Sequence, residues 1–217
     1  MKCIFLITLT IIFIGCETNN SEKIADLQSQ LDDLNDLIKD MEDDQDDALD
    51  SYKPMPVTLD VPTFATDYLG DMPIPEDNPM TVEGIFLGRK LFYDTRLSND
   101  STKSCASCHL QSAGFTDPEQ FSEGITGERG NRNAMQIINA AWFTSFFWDG
   151  RAASLEDQAL GPVVNPVELN TTWPKVEEKI SNDRLYSILF KMAFGTSEVD
   201  SMKIVKAISQ FERTLLL

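Results

Sequence analysis

One pentapeptide constrains the fold of this chain more strongly than its overall composition does. Residues 105–109 read Cys-Ala-Ser-Cys-His and contain the only histidine of the 217 residues. Positions i, i+3 and i+4 share one face of a helical turn, so the two thiols and the imidazole can act together. This spacing is typical of covalent haem c attachment through Cys105 and Cys108, with His109 as the iron ligand. We therefore expect a chain that folds around one haem c.

Two other uses of the same side chains fit the sequence less well. A structural zinc ion needs four ligands, and beyond the leader cysteines no further Cys or His is available to complete a tetrahedron. A thioredoxin-like Cys-x-x-Cys pair needs a neighbouring buried strand, and the flanking residues 98–103 and 110–114 contain no strand pattern.

The N-terminus has the features of an export signal, which agrees with haem c attachment outside the cytoplasm. A basic start is followed by an apolar run over residues 3–14 that is too short to span a membrane. Residues 13–16 (Phe-Ile-Gly-Cys) resemble a lipobox, which predicts a signal peptide over residues 1–15 and lipidation of Cys16; an ordinary cleaved signal is the alternative. We expect a lipid-anchored periplasmic protein with no cysteine pair left for a structural disulfide.

An acidic stalk is predicted over residues 16–50. Twelve Asp or Glu against two Lys between residues 21 and 50 supply most of the net charge of −17, which argues against nucleic acid and bare anionic lipid as partners. A short heptad pattern lies within residues 24–41 and comprises Ile24, Leu27, Leu31, Leu34, Ile38 and Met41. It favours either a single solvated helix or self-association.

Prolines then mark residues 51–79, where we expect an extended, non-helical arm strapped over the domain. Residues 80–217 are predicted to form a mostly α domain without strands. Helices are expected from Thr81 to about Phe92, over 133–141, from Ser154 to a stop at Gly161-Pro162, after Thr172, from Asp183, and over 202–217, opened by Asp200. The aromatic residues of 142–148 are expected to wall the haem.

Several motifs of this region, in order and spacing, resemble the N-terminal haem domain of bacterial di-haem cytochrome c peroxidases. They are residues 87–98 (LGRKLFYDTRLS), the haem motif, 132–134 (RNA), 147–152 (FWDGRA), Gln158 and 161–168 (GPVVNPVE). The same scaffold occurs in the enzymes that mature tryptophan-tryptophylquinone cofactors by oxidising a protein substrate.

This resemblance implies roles for four residues. Glu168 corresponds to the distal carboxylate that takes a proton from peroxide and returns it to the leaving oxygen, and Gln158 to its hydrogen-bonding neighbour. Trp148 matches the indole that carries electrons between two haems, and Asn133 a ligand of the interdomain calcium ion. Chemistry agrees for Glu168, because cleaving an O–O bond needs a group that is first base and then acid.

The chain departs from the family pattern at two places. Many members carry a distal histidine in the segment that here spans residues 122–127, where Ile125 takes its position. Isoleucine cannot bind iron, so we expect a five-coordinate or water-bound haem that needs no reductive activation. We also expect the second haem half of the family to be missing, because the sequence ends in the predicted 202–217 helix, which resembles a truncated or split reading frame.

The leading functional prediction is reduction of hydrogen peroxide with electrons from a small c-type cytochrome or cupredoxin. A mono-haem electron carrier is the first alternative, with Met135, Met192 or Met202 as the sixth iron ligand. Oxidative maturation of a partner protein and an inactive truncated fragment are the others.

Overall fold

The computed structural model describes residues 49–217, and this part of the chain is mostly helical. In chain order its α-helices are α1 (Thr63–Leu69), α2 (Val82–Phe92), α3 (Leu155–Val164), α4 (Trp173–Ser181), α5 (Arg184–Phe194) and α6 (Ser201–Glu212). Single 3-10 turns occur at Thr95–Leu97, Cys105–Ser107, Gln111–Ala113 and Ala140–Trp142, and β structure here is limited to isolated bridges. The predicted helical class is confirmed. The expected signal peptide, Cys16 and the 24–41 heptads lie outside the described residues.

Four helices begin at the side chains that the sequence predicts as N-caps. Thr81, Ser154, Asp183 and Asp200 each accept a backbone N–H from the first turn of the helix that follows, at 2.8–3.0 Å. Such caps satisfy donors that an α-helix leaves unpaired at its start. Pro174 lies in the first turn of α4, where its missing N–H costs nothing.

Helix α2 crosses α6 at very short range, and this pair forms the centre of the core. A Cβ atom built on Gly88 would lie 1.8 Å from the backbone oxygen of Ala207, so only glycine permits this approach. Beside the crossing, the rings of Phe92 and Phe211 lie 5.2 Å apart. The fully buried side chains around them include Leu87, Leu91, Ile204, Val205, Tyr186 and Phe190.

Residues 51–79 are not extended throughout. Helix α1 (Thr63–Leu69) interrupts them, so the expectation of a non-helical arm is wrong there. Pro62 occupies the N-cap position, where its missing N–H removes no hydrogen bond within the helix. Gly70 ends the helix at a φ of 76°. The first part of the arm is tied to α2, because the Tyr52 hydroxyl and the Met55 amide both donate to the buried Glu83 carboxylate.

Three further helix predictions differ from the structure. Residues 133–141 are irregular up to the Ala140–Trp142 turn, because the Asn139 amide donates to Leu215 and Asn139 itself adopts a φ of 59°. Helix α3 continues past Gly161-Pro162 to Val164, since proline removes only one hydrogen bond and the next, from Asn165 to Gly161, is made at 3.1 Å. The last helix ends at Glu212, and the leucines beyond it pair with Asn139 instead.

Candidate haem-binding site

A cavity of about 580 Å³ brings together the residues that the sequence singled out for haem attachment and catalysis. It is lined, among others, by Cys105, Cys108, His109, Asn133, Trp148, Gln158 and Glu168. Its volume falls within the range of roughly 300–1,000 Å³ that is usual for cofactor pockets. Of the five aromatic residues of 142–148 that are expected to wall the haem, Phe143, Phe146, Phe147 and Trp148 contribute to the lining of this cavity and Trp142 does not.

The Cys-x-x-Cys-His segment forms one tight helical turn at this cavity. The backbone oxygen of Cys105 accepts from the amides of Cys108 at 3.2 Å and His109 at 3.1 Å, which closes the turn. Ser104 caps it, since its amide donates to the Ser107 hydroxyl at 3.0 Å. Both thiols are free, and burial raises the pKa of each. They are therefore protonated at neutral pH, and neither is engaged in a disulfide.

His109 is oriented by a backbone contact that leaves one ring nitrogen available. Its Nδ1 lies 3.1 Å from the backbone oxygen of Phe115, and because a carbonyl only accepts, Nδ1 must carry the proton. The Nε2 lone pair then remains free for a metal, as in most histidine-bound metal sites. Burial lowers the pKa of His109, although the backbone oxygens of Phe115 and Met135 oppose the shift, so the ring is neutral.

The histidine support is connected to the helical core. Phe115 adopts a φ of 58°, an uncommon conformation for an aromatic residue, and this turns its backbone oxygen toward His109. Its ring lies 6.3 Å from that of Phe92 on α2. The contact Phe92–Phe115–His109 therefore couples the α2–α6 core to the candidate iron ligand.

Glu168 lines the same cavity from the turn that follows α3. The side chain of Asn165 builds this turn: its Oδ1 accepts from the Val167 amide at 3.0 Å, and its Nδ2 donates to Glu168 Oε1 at 2.7 Å. Burial raises the pKa of Glu168, against the lowering effects of Asn165 and Arg151. The carboxyl is thus held in one orientation in a place that favours its protonated form more than water does.

Gln158 lies one turn into α3 and also lines the cavity. The hydrogen bond that the Glu168 carboxyl accepts comes from Asn165 rather than from Gln158, the neighbour that the family resemblance suggests. Sequence reasoning missed Asn165, although an asparagine just after a predicted helix is a recognisable turn signal.

Arg151 and Phe147 form the outer part of the wall beside Glu168. The guanidinium carbon lies 3.5 Å from the centroid of the Phe147 ring, and the same group pairs with Asp149 at 2.8 Å. The Phe147 ring in turn lies against α3, where a Cβ atom on Gly161 would come within 2.9 Å of it. Glycine at position 161 therefore allows the ring to approach the helix.

Trp148 lies at the cavity with 61% of its surface exposed. Its indole N–H donates to the backbone oxygen of Asn133 at 2.7 Å, which fixes the ring at the protein surface. An aromatic ring in this position contacts both the cavity and the surroundings of the molecule.

The Asn133 side chain is engaged in local structure. Its Nδ2 donates to the backbone oxygens of Glu119 at 2.8 Å and Asp117 at 3.3 Å, and its Oδ1 accepts from the Thr116 hydroxyl. Between residues 49 and 217, no group of three or more His, Cys, Asp or Glu side chains is placed to hold a metal ion. A calcium ion at Asn133 stays a prediction.

The segment of residues 122–130, where the family often carries a distal histidine, packs against the Glu168 turn. The Ile125 amide donates to the Glu168 backbone oxygen at 3.1 Å. A Cβ atom on Gly124 would lie 1.9 Å from the backbone oxygen of Val167. The part of this segment that lines the cavity comprises Ser122, Glu123, Gly124, Arg129 and Gly130. Ile125 thus contributes a backbone hydrogen bond to the turn that carries Glu168.

The donor set fits a covalently bound haem. Two free thiols three residues apart can form thioethers, and a neutral histidine with a free Nε2 can bind the iron. Buried aromatic and aliphatic groups supply the apolar walls that a porphyrin needs.

Glu212 is a second cavity residue, after Asn165, whose role the sequence did not indicate. Glu212, the last residue of α6, is 5% exposed, and its Oε2 has no hydrogen-bond partner among the described residues. Its position in a predicted amphipathic helix does not indicate that it lines the cavity, because the direction in which the end of that helix faces depends on the crossing with α2.

Within residues 49–217, no helix is both long and apolar enough to pass through a lipid bilayer. The described helices of this chain have at most twelve residues, whereas a membrane span needs about twenty.

Known proteins resemble this chain across its helical region. The sequence model for di-haem cytochrome c peroxidase matches residues 82–217. Methylamine utilization protein MauG of Methylorubrum extorquens is 39% identical over 146 residues, which are 67% of this chain and 41% of that protein. Cytochrome c551 peroxidase of Nitrosomonas europaea is 40% identical over 144 residues, 66% of this chain and 43% of that protein. The chain thus spans less than half the length of these relatives.

A solved structure shows the same fold. The crystal structure of a MauG-like protein associated with microbial copper homeostasis superposes with a TM-score of 0.68 at 34% identity, over 74% of this chain and 47% of that one. The family of these proteins uses haem c, which the Cys-x-x-Cys-His turn and the cavity can accommodate. On the match over residues 82–217, this chain belongs to the di-haem cytochrome c peroxidase family.

Proposed function

We propose that residues 80–217 form a peroxidase domain that holds one haem c and reduces hydrogen peroxide to water. The observation that carries this proposal is a single cavity lined by the Cys-x-x-Cys-His turn and by the half-buried Glu168. The electrons come from a small redox protein, a c-type cytochrome or a cupredoxin. Because the chain spans less than half of its relatives, their activity is an inference for this chain.

Cys105 and Cys108 would hold the haem through thioether bonds, and His109 would bind its iron through Nε2. When bound, the haem supplies the site at which peroxide coordinates and the electrons that cleave its O–O bond. The Phe115 backbone oxygen, which accepts from His109 Nδ1 at 3.1 Å, holds the imidazole in the required tautomer.

Glu168 moves the proton. As a carboxylate it accepts a proton from one oxygen of hydrogen peroxide, and as a carboxylic acid it donates that proton to the other oxygen, which leaves as water. Two electrons and two protons in total convert one peroxide into two waters. Asn165 orients the carboxyl through the 2.7 Å bond to Oε1, and Gln158 supplies a further amide to the same space.

Trp148 is the entry point for electrons in this proposal. Its exposed indole lies at the cavity and is held by the Asn133 backbone oxygen, so a partner can contact it from outside. The likeness to MauG favours a second function, oxidation of a partner protein through the same indole. Loss of reaction with a protein substrate in Trp148→Phe, with an unchanged peroxide reaction, would distinguish that function.

The location follows from the sequence alone. We propose a periplasmic domain anchored through lipidated Cys16 and a stalk that includes residues 24–41. Lipidation is tested by mass spectrometry of the N-terminal peptide, and self-association by the sedimentation of the full chain.

A mono-haem electron carrier is the main alternative. The positions of the three candidate methionines favour one of them as the sixth iron ligand. Of the three candidate methionines, Met135 lines the cavity, while Met192 is buried on α5 and Met202 is half exposed on α6. The Met135 backbone oxygen lies close enough to His109 to raise the pKa of that histidine. In its ferrous state, an electron carrier with six iron ligands would not bind carbon monoxide, whereas an open peroxidase site would bind it rapidly.

The decisive variant is Glu168→Gln, which keeps the shape of the side chain and removes its base. In the haem-loaded full chain, we expect the rate constant for peroxide cleavage to fall roughly 10²-fold or more, with a nearly unchanged haem spectrum. Glu123→Gln is the matched control, because Glu123 also lines the cavity but its side chain is 49% exposed. Stopped-flow absorption at the Soret band measures both.

The pH dependence tests the same role. Because the base form is required first, the rate should fall as pH decreases through the pKa of Glu168, which burial raises above its ordinary value of 4.5. The Gln variant should lack this inflection. A loss smaller than about threefold in Glu168→Gln removes Glu168 from the mechanism.

A further inference from the structure

Glu212 is a buried carboxyl at the cavity that the proposed peroxide chemistry does not use. It ends α6, is 5% exposed and lines the same space as the Cys-x-x-Cys-His turn. Within the described residues, its Oε2 is buried without a hydrogen-bond partner. An unpaired buried carboxylate oxygen is costly, so this side chain favours a bound proton.

The neighbouring cation does not neutralise Glu212. The Arg213 guanidinium gives two hydrogen bonds to Glu156 on α3, at 2.8 and 3.1 Å. Burial raises the pKa of Glu212 to about 8, Arg213 opposes this shift, and the Glu156 carboxylate adds to it. The carboxyl thus exchanges its proton near neutral pH rather than in acid.

The helices packed against α6 offer Glu212 no free charge. On α2, Glu83 is bound by Tyr52 and Met55, while Arg89 and Lys90 lie over the rings of Tyr93 and Tyr186. On α4, Glu177 accepts from the Ser201 amide and Lys179 donates to backbone oxygens of residues 98 and 99.

The cavity lining carries further charged or titratable groups: Lys103, Cys108, His109, Glu123, Arg129, Arg132, Asp149 and Arg151, together with Cys105 and Glu168. The Cys105 thiol has its pKa raised by burial and then by the Glu212 charge, which places the two groups near each other. Glu168 contributes to the same lining. Once Cys105 is a thioether it no longer titrates. Glu123 and Asp149 also line the cavity, but their side chains are exposed and paired with lysine or arginine, so Glu168 and Glu212 are its more deeply buried carboxyl groups.

We propose that Glu212 takes up a proton when the haem in this cavity is reduced and releases it when the haem is oxidised. Reduction by an external donor adds one negative charge to the cavity that the buried Glu212 carboxyl lines. A carboxylate nearby then becomes costlier, and it binds one proton from solvent for the one electron gained. The reduction potential of the haem consequently depends on pH. This inference rests on the proposed haem attachment but not on peroxide reduction.

Spectroelectrochemical titration of the haem-loaded full chain tests it between about pH 6 and about pH 10, on either side of the Glu212 pKa. The wild-type midpoint potential should fall as pH rises, because the carboxylate at high pH stabilises the ferric haem. A tenfold difference in proton affinity between the two oxidation states corresponds to about 59 mV for a one-electron couple. Glu212→Gln, which is isosteric and neutral, should flatten this dependence, and Glu123→Gln should preserve it.

Two results would overturn the proposal: an equal slope in Glu212→Gln, or a slope that disappears in Glu168→Gln while Glu212→Gln keeps it. An infrared difference spectrum between reduced and oxidised wild-type protein decides independently, even if the variant loses its haem. Reduction should produce a carboxylic C=O band that shifts in deuterium oxide, and absence of such a band contradicts proton uptake by Glu212. A protein that fails to cleave peroxide can still show the band and the slope, so the two proposals fail separately.

Discussion

The α2–α6 pair and the cavity wall of residues 98–154 are stabilised in different ways. The helices are held by buried apolar side chains and by the close approach of Gly88 to Ala207. The wall has single 3-10 turns, isolated bridges and hydrogen bonds to backbone groups, such as those of His109 and Trp148. The wall also contains four of the five non-glycine residues with positive φ between residues 49 and 217: Ser101, Phe115, Asn139 and Phe147.

This difference separates stability from chemistry. Burial of apolar surface on the helices supplies most of the folding free energy, since it scales with the area removed from water. The irregular wall instead directs individual groups toward the cavity, at the cost of backbone conformations that regular helices avoid. Substitutions in the helices should therefore reduce stability, whereas those in the wall should alter the site with a smaller loss of stability.

The largest effect should come from Arg213→Met, which breaks the buried ion pair between Arg213, the residue directly after α6, and Glu156 on α3. Arg213 and Glu156 have side chains that are 4% and 10% exposed, and Glu156 also accepts from Asn78 at 2.7 Å. Removing the cation leaves a buried carboxylate without its charge partner, which typically costs about 3–5 kcal/mol. Urea denaturation should show this loss in the free energy of unfolding.

Lys206→Met is the control for that variant on the same helix. Lys206 pairs with Asp77 at 2.8 Å, but the Asp77 side chain is 75% exposed, so solvent screens the pair. A similar loss of stability in both variants would mean that helix α6 tolerates no change in charge, and the buried pair would have no special weight.

Two glycines compare the two regions by the same substitution. Gly88→Ala would force α2 from α6, because its Cβ would lie 1.8 Å from the Ala207 backbone oxygen, and we expect a loss of about 1–3 kcal/mol. Gly124→Ala meets the Val167 backbone oxygen at 1.9 Å and should instead displace the Glu168 turn. We expect a changed peroxide reaction with a smaller loss of stability, measured by stopped flow and by denaturation.

Gly130→Ala is the control, because its Cβ would come no closer than 3.8 Å to another atom and its φ is not positive. It should change neither quantity. If Gly124→Ala instead unfolds the chain as readily as Gly88→Ala, the wall is part of the stabilising core and the comparison fails.

The sequence predicts the helices better than the wall for a physical reason. The starts of α2, α3, α5 and α6 depend on caps and apolar spacing that are local in the chain. The path of residues 133–141 depends on Asn139 bonding to Leu215, a contact that no local pattern encodes. The attachment residues 105–109 could be recognised because their chemistry is local, whereas the roles given to Glu168 and Trp148 needed the family resemblance.

The smallest effect on stability should come from Trp148→Phe. The substitution removes one hydrogen bond, from the indole to the Asn133 backbone oxygen, and water can replace that donor because the side chain is 61% exposed. We expect a loss below about 1 kcal/mol in denaturation experiments.

Trp142→Phe is the matched control, since its indole also donates to one backbone oxygen, that of Gly70, at 3.1 Å. If electrons enter through Trp148, only Trp148→Phe should slow reduction of the haem by a small cytochrome. The Trp148 ring lies at the cavity and is exposed to a partner, while its exposed surface contributes little to folding. Equal electron-transfer rates in both variants would show that Trp148 serves only to brace the wall at Asn133.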